Sequence, residues 1–205
     1  REHDILFILD EVQSNFGRTG RMYAFEKYGI SPDLVALGKG LGNGIPVSAV
    51  VGRSDVLGSL KYGEASDTWS ANPIGCAAVI ATLEAFDQSD ALQNTRQLEP
   101  LFFEQLTRLK ETGVIAKVRG EGMVYGIECA DVGSTKAADV ANAVVQACYL
   151  GEHDAENTDG IHLLGPLADT VLRISPPMTI TGDQARESLE LLYRIVDRLR
   201  RSLGD

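Results

Sequence analysis

Two uninterrupted apolar runs constrain the fold of this chain more than any other feature. The first covers residues 5–9 and is followed by Asp10, and the second covers residues 34–37 and leads to Lys39. Because neither run alternates with polar residues, each predicts a strand buried on both faces of a parallel sheet. Carboxyl ends of parallel strands form the edge where open α/β sheets bind ligands. We therefore expect Asp10 and Lys39 to emerge at the same edge.

The surroundings of Lys39 favour a chemical role for this side chain. Lys39 lies between Gly38 and Gly40, and further glycines follow at positions 42 and 44. Glycine permits backbone conformations and close approaches that other residues do not. A nearly buried amine in such a loop can lose its proton and attack a carbonyl carbon. Taken singly, Lys39 also fits a solvated surface lysine, and Asp10 also fits a helix N-cap.

The rest of the chain predicts an α/β domain over residues 1–100, with a mostly parallel sheet, followed by a small α+β domain over residues 101–205. Apolar periodicity and turn residues predict the individual elements. The predicted helices cover residues 22–28, 74–86, 91–112 and 136–149, with an amphipathic helix after the capping box at 181–184. Further predicted strands cover residues 45–51, 161–164 and 170–174, and short strands lie within 114–128.

Composition excludes several classes of partner. The chain has 205 residues and a net charge of −10, which makes nucleic acid and anionic membranes poor partners. No apolar stretch is long enough to span a bilayer. The chain enters its first apolar run within four residues, without a signal peptide, so we expect it to be the later part of a longer polypeptide.

The cysteines and one acidic segment do not predict a metal site. Cys76, Cys129 and Cys148 have no metal-like spacing, and we expect buried, reduced thiols in a cytoplasmic protein. His153 lies among acidic residues in segment 150–160, which we interpret as a solvated loop.

Several motifs in one order resemble the class III, pyridoxal-phosphate-dependent aminotransferases of fold-type I. They are Asp-Glu-Val-Gln at 10–13, the Lys39 loop, Asn72-Pro73, and Arg-Ile-Ser-Pro-Pro at 173–177. The resemblance spans essentially the whole chain, whereas the family is about twice as long. It implies that this chain is the C-terminal half of the usual family chain. Residues 1–100 would then be part of the large cofactor-binding domain.

The resemblance implies roles for residues near the sheet edge. Lys39 would hold pyridoxal 5′-phosphate covalently and, once released, move a proton between substrate and cofactor. Asp10 would face the ring nitrogen, where a carboxylate favours the protonated ring that acts as an electron sink. Gln13 resembles the residue that contacts the 3-oxygen of the ring.

Two further residues resemble binding groups of the family. Thr68 resembles the hydroxyl that binds the cofactor phosphate of the partner subunit, which implies a homodimer. The neighbouring Asp67 is unfavourable there unless its charge is paired or points away. Arg173 resembles the arginine that grips the substrate carboxylate with two hydrogen bonds. Strand alternation places Arg173 on the same face as Val171 and Ser175.

We therefore expect transfer of an amino group between an amine or ω-amino acid and a 2-oxo acid. Donors of the 4-aminobutyrate, acetylornithine, ornithine and diaminobutyrate types share these motifs, and epimerases and aminomutases of the superfamily use the same lysine. Two alternatives remain open. Residues 5–11 fit the Walker B strand of a P-loop ATPase fragment, although Lys39 is followed by Gly40 and not by Ser or Thr. A remnant without catalytic activity would serve as a dimer or interaction domain.

Overall fold

A computed structural model describes residue 3 and residues 5–152 and 159–203. The chain divides into two compact units, Arg1–Gln93 and Asn94–Asp205, and each is described separately. His153 and most of the acidic segment around it lie outside the described residues.

The first unit is built on a three-stranded sheet in the order β1-β2-β3. Strand β1 (Ile8–Asp10) runs parallel to β2 (Leu34–Leu37), and β3 (Ala49–Gly52) runs antiparallel to β2. The strand predicted over 45–51 is therefore shorter than expected at its start. Residues 42–45 form a turn, closed by a hydrogen bond from the Ile45 N–H to the Gly42 carbonyl.

Three helices complete the first unit: α1 (Ala24–Tyr28), α2 (Ser54–Leu57) and α3 (Pro73–Asp87). Helix α3 begins as its sequence predicts, because the Asn72 side chain accepts a hydrogen bond of 2.8 Å from the Gly75 N–H and Pro73 occupies the first helical position. The small core of this unit contains Phe16, with Phe86 packed against it.

The first apolar run is not buried on both faces, contrary to our expectation. The side chains of residues 5–8 are exposed, and Ile8 is 58% exposed, whereas Val35 on β2 is 8% exposed. The difference follows from position in the sheet: β2 has a strand on each side, but β1 has only β2 as a neighbour within the described residues.

The second unit contains an antiparallel sheet in the order β4-β5-β6. Its strands are β4 (Ile115–Glu121), β5 (Val124–Cys129) and β6 (Val171–Ile174). Three long helices follow the predicted pattern: α4 (Ala91–Arg108), α5 (Ala137–Leu150) and α6 (Gly182–Leu203). A 3-10 turn extends α4 through Leu109–Thr112, and Gly113 ends it in the left-handed conformation.

The strand predicted over residues 161–164 does not form. The Ile161 N–H donates to the Cys148 carbonyl at the end of α5, so this segment runs beside a helix end and has no strand partner in the described chain. Its apolar residues still pack, since Leu163 is 8% exposed and belongs to the core of the unit.

That core is much larger than the core of the first unit and buries two of the three cysteines. Cys129 and Cys148 are free, buried thiols, and burial raises the pKa of Cys129 to about 11 and that of Cys148 to about 12. Cys76 departs from the prediction, because it is a free thiol on the exposed face of α3. No helix among the described residues is long and apolar enough to cross a membrane. No three His, Cys, Asp or Glu side chains of the described segments cluster as metal ligands would.

Candidate active site

The ends of β1 and β2 place Asp10 and Lys39 at the same edge of the sheet. The strands are parallel neighbours, and Asp10, the last residue of β1, pairs with Ala36 on β2. Lys39 comes three residues after Ala36 and begins a 3-10 turn over Lys39–Leu41. The carboxylate and the amine thus follow the carboxyl ends of adjacent parallel strands, where α/β sheets bind ligands.

The amine of Lys39 is accessible. Lys39 is exposed, as are residues 43–46 of its loop, so the expectation of a nearly buried amine is wrong for the described chain. Within the described residues, its Nζ forms no hydrogen bond or ion pair. The backbone of Lys39 has a φ of 43°, a left-handed conformation that is unusual for a residue with a side chain.

Asp10 keeps one carboxylate oxygen available. Its Oδ1 accepts a hydrogen bond of 3.0 Å from the N–H of Val12. Its Oδ2 accepts no hydrogen bond from the described residues, and the side chain is exposed. Gln13 follows in the turn-rich segment 11–20 and is half-buried. Asp10, Gln13 and Lys39 therefore belong to the two segments that leave this edge.

The structure identifies a buried acid beside Asp10 to which the family resemblance assigned no role. Glu11 is 2% exposed, and its Oε2 and Oε1 accept hydrogen bonds of 2.7 and 2.8 Å from the N–H groups of Ala24 and Phe25. The Glu11 N–H donates to the Ala36 carbonyl on β2. Glu11 thus ties the end of β1 to the start of α1, and the one available signal was its place directly after Asp10 at the end of an apolar run.

A buried amide links the two segments that carry Asp10 and Lys39. Asn15 is 1% exposed, and its Nδ2 donates a hydrogen bond of 3.1 Å to the carbonyl of Gly38. Sequence reasoning missed Asn15 because a contact across 23 residues leaves no local pattern.

Thr68 lies elsewhere in the first unit, on an exposed loop before α3. Within the described residues it forms no hydrogen bond with Asp10 or Lys39. The neighbouring carboxylate of Asp67 accepts a hydrogen bond of 2.7 Å from the Trp69 N–H. The carboxylate of Asp67, whose charge is unfavourable beside a phosphate site at Thr68, therefore has a hydrogen-bond partner within its own loop.

Arg173 belongs to the second unit, where it lies on β6 opposite Gly126 of β5. The predicted alternation is confirmed: Arg173 is half-buried, as are Val171 and Ser175, whereas Leu172 and Ile174 are buried. Arg173 lines a pocket of about 370 Å³ with a mainly apolar wall. A guanidinium in such a wall suits a ligand that combines a carboxylate with an aliphatic chain.

Comparison with known protein families matches residues 1–196 to the class III aminotransferases, and the chain belongs to this family. The family uses pyridoxal 5′-phosphate as its cofactor, and a fold-type I domain is consistent with the mixed α/β structure.

Particular relatives carry different activities. A leucine/methionine racemase of Thermococcus litoralis is 36% identical over 199 residues, covering 95% of this chain and 43% of the racemase. A 4-aminobutyrate aminotransferase of Mycobacterium leprae is 33% identical, with coverage of 96% and 43%. The solved ornithine aminotransferase of Plasmodium yoelii superimposes with a TM-score of 0.80 at 30% identity, covering 95% of this chain and 48% of that one. The chain thus spans about half the length of the relatives it matches.

The residues at the sheet edge fit this cofactor. Pyridoxal phosphate requires a primary amine with access to its aldehyde and an anion for its ring nitrogen. The accessible Nζ of Lys39 is a group of the first kind, and the available Oδ2 of Asp10 is a group of the second kind.

Proposed function

We propose that the complete protein containing this chain transfers an amino group between an amine or ω-amino acid and a 2-oxo acid. The observation that carries the proposal is the position of Asp10 and Lys39 at the ends of adjacent parallel strands in a class III chain. When bound, pyridoxal phosphate supplies the electron sink that stabilises negative charge on the substrate carbon.

Each residue at the edge contributes one interaction. Lys39 would hold the cofactor through Nζ and, when that amine is free, would move the proton of the substrate carbon. Asp10 accepts a hydrogen bond from the protonated ring nitrogen through its carboxylate and stabilises the positive charge there. Gln13 contacts the 3-oxygen of the ring.

Two further residues bind anionic groups, namely the phosphate of the cofactor and the carboxylate of the substrate. Thr68 binds the phosphate of the cofactor held by the other subunit of a homodimer, which is consistent with its exposed loop and its lack of a bond to Lys39. Arg173 binds the substrate carboxylate. The protein acts in the cytoplasm, a location supported by its three free thiols, since reducing compartments keep cysteines in this form.

The names of the relatives indicate which donors to test. The relatives act on 4-aminobutyrate and ornithine, and both substances carry an amine far from their carboxylate. Racemisation of an apolar amino acid is a second candidate function, favoured by the 36% identity to the leucine/methionine racemase. None of the comparisons supports the ATPase alternative.

A donor panel assayed on the complete protein tests the proposal. The panel contains 4-aminobutyrate, ornithine, acetylornithine and diaminobutyrate, each with a 2-oxo acid, and the measurement is the amino acid formed from that 2-oxo acid. We expect one mole formed per mole of donor consumed for at least one donor. Inversion of L-leucine with no amino transfer from any donor would instead establish the second candidate.

A further inference from the structure

A buried side chain from outside the turn, that of Asn15, is hydrogen-bonded to the turn that carries Lys39. The carbonyl of Gly38, directly before Lys39, accepts a hydrogen bond of 3.0 Å from the Leu41 N–H within the turn. The same carbonyl accepts the bond of 3.1 Å from the Nδ2 of Asn15. Asn15 in turn is fixed to the end of β1, because its own N–H donates to the Glu11 carbonyl at 3.0 Å.

Lys39 needs such support because its backbone is strained. A left-handed conformation is unfavourable for a residue with a side chain, and the φ of Lys39 is 43°. Strained residues persist where surrounding contacts over-determine their conformation. A second hydrogen bond to the Gly38 carbonyl fixes the peptide plane from which the Lys39 side chain departs.

The segment that carries Asn15 packs against the turn so that positions 38 and 40 have little space for a side chain. A Cβ atom on Gly40 would lie 3.1 Å from the Oδ1 of Asn15 and 3.2 Å from the Cβ of Phe16. On the other side of Lys39, a Cβ atom on Gly38 would lie 3.3 Å from a methyl carbon of Val12. The segment after β1 therefore contacts the Lys39 turn closely on both sides of the lysine.

We propose that Asn15 is a positioning residue for Lys39. Its carboxamide donates to the Gly38 carbonyl and so fixes the start of the Lys39 turn. Asp10 and Asn15 belong to the same segment, and this bond therefore keeps the amine of Lys39 in a fixed place relative to Asp10. The inference rests on the proposed function, since it assigns Asn15 to the attachment of pyridoxal phosphate to Lys39. A purely structural role would predict only a loss of stability when the buried amide is removed.

The test measures covalent attachment and not turnover. Pyridoxal phosphate is added to the complete, cofactor-free protein, samples are reduced with borohydride over time, and the label on the Lys39 peptide is quantified by mass spectrometry. Asn15→Ala removes the amide, and Asn15→Asp keeps its shape but has no N–H group and, when ionised, no hydrogen-bond donor at all. Gly40→Ala retains Asn15 and crowds its carboxamide, which gives a third variant should the first two fold poorly.

Thr82→Val is the matched control. Thr82 is 7% exposed in the same unit, and its hydroxyl donates a hydrogen bond of 2.8 Å to the Ala78 carbonyl within α3. The variant therefore loses a buried hydrogen bond without touching the Lys39 turn. Thermal unfolding of each variant reports how much stability each substitution removes.

We expect attachment to Lys39 to slow at least about tenfold in the folded Asn15 and Gly40 variants and to stay near the unaltered rate in Thr82→Val. Unchanged attachment rates in the folded Asn15 variants would overturn the positioning role and leave the proposed function intact. Equal slowing in Thr82→Val would overturn it as well, because the effect would then follow stability alone. Failure of the unaltered protein to label Lys39 would overturn the proposed function and this inference together.

Discussion

At the scale of single residues, the proposed site has exposed groups that are available to a ligand and buried groups that hold the surrounding chain in place. Asp10 and Lys39 are exposed and offer an oxygen and an amine, whereas Glu11 and Asn15 are almost fully buried and have their hydrogen bonds within the protein. In segment 10–15, the exposed Asp10 thus lies beside buried residues whose hydrogen bonds fix the backbone. Such bonds give an exposed polar group a rigid support.

Asp10→Asn tests one of the exposed groups. An amide cannot stabilise the positive charge of the ring nitrogen, so we expect turnover of the complete protein to fall by about 10²-fold or more, while cofactor affinity changes only several-fold. Asp139→Asn, an exposed acid on α5, is the control and is expected to behave as the unaltered protein. The measurements are the steady-state rate and a cofactor titration. Near-normal turnover of the Asp10 variant would count against its role at the ring nitrogen.

Glu11→Gln tests one of the buried groups. The substitution replaces a charged acceptor of two backbone N–H groups by an amide, and we expect a loss of about 1.5 to 3 kcal/mol in the free energy of unfolding. Glu26→Gln is the control. Glu26 is an exposed acid in the first turn of α1, the helix that Glu11 contacts, and its substitution is expected to cost about 0.5 kcal/mol or less. Denaturant unfolding of both variants provides the comparison. Equal losses would show that burial of Glu11 has no special effect.

The sequence predicts the place of Asp10 and Lys39 at the sheet edge better than it predicts the buried contacts around them, for a physical reason. Asp10 and Lys39 could be located because each follows an apolar run, and apolar runs are local signals of buried strands. The bonds of Glu11 and Asn15 join positions 13 and 23 residues apart, and such contacts exist only once the strands have paired.

At the scale of elements, the long helices follow from local patterns, but burial of strands does not. Residues 5–9 and 34–37 read alike in sequence, yet the strand at the sheet edge is mostly exposed, whereas the central strand alternates between half-buried and buried residues. Residues 161–164 have a strand-like composition and run beside the end of α5 instead. In both cases the outcome depends on neighbours that are distant in sequence.

Gly120 in the β4–β5 hairpin allows a specific prediction at the scale of elements. Gly120 has a φ of 140°, and a Cβ atom there would lie 2.2 Å from the Val124 carbonyl oxygen and 2.6 Å from the Tyr125 Cα. Because both obstacles are backbone atoms, we expect Gly120→Ala to cost about 2 to 5 kcal/mol of stability. Gly165→Ala is the control, since a Cβ atom on Gly165 would meet nothing within 4 Å among the described residues. Thermal unfolding that leaves both variants equally stable would contradict this account of the hairpin.

At the scale of the whole molecule, the two units differ in how completely they bury their apolar residues. The second unit has an extensive core, whereas the first exposes residues 5–8 together with Val50 and Val51 on its sheet. The chain covers less than half of the relatives named above, so the exposed sheet is consistent with the expectation of a longer polypeptide.

Thiol labelling provides a probe of both units at once. Burial raises the pKa of Cys129 and Cys148 to about 11 and about 12, so both stay protonated and unreactive at pH 8, whereas Cys76 is exposed. We expect one thiol to react with iodoacetamide in the folded protein and three in denaturant, as counted by mass spectrometry. Because the folded state keeps these two thiols protonated, the free energy of unfolding should fall as pH rises from about 9 toward 12. Rapid labelling of Cys148 in the folded protein would contradict the core of the second unit.

The central claim concerns Lys39, and borohydride reduction of the complete protein with pyridoxal phosphate tests it most directly. We expect the visible absorbance of the bound cofactor to disappear on reduction and a stable label to remain on the Lys39 peptide. The variant Lys39→Ala should carry no label. A label on another lysine, or an equal label in Lys39→Ala, would contradict the assignment of this edge as the active site.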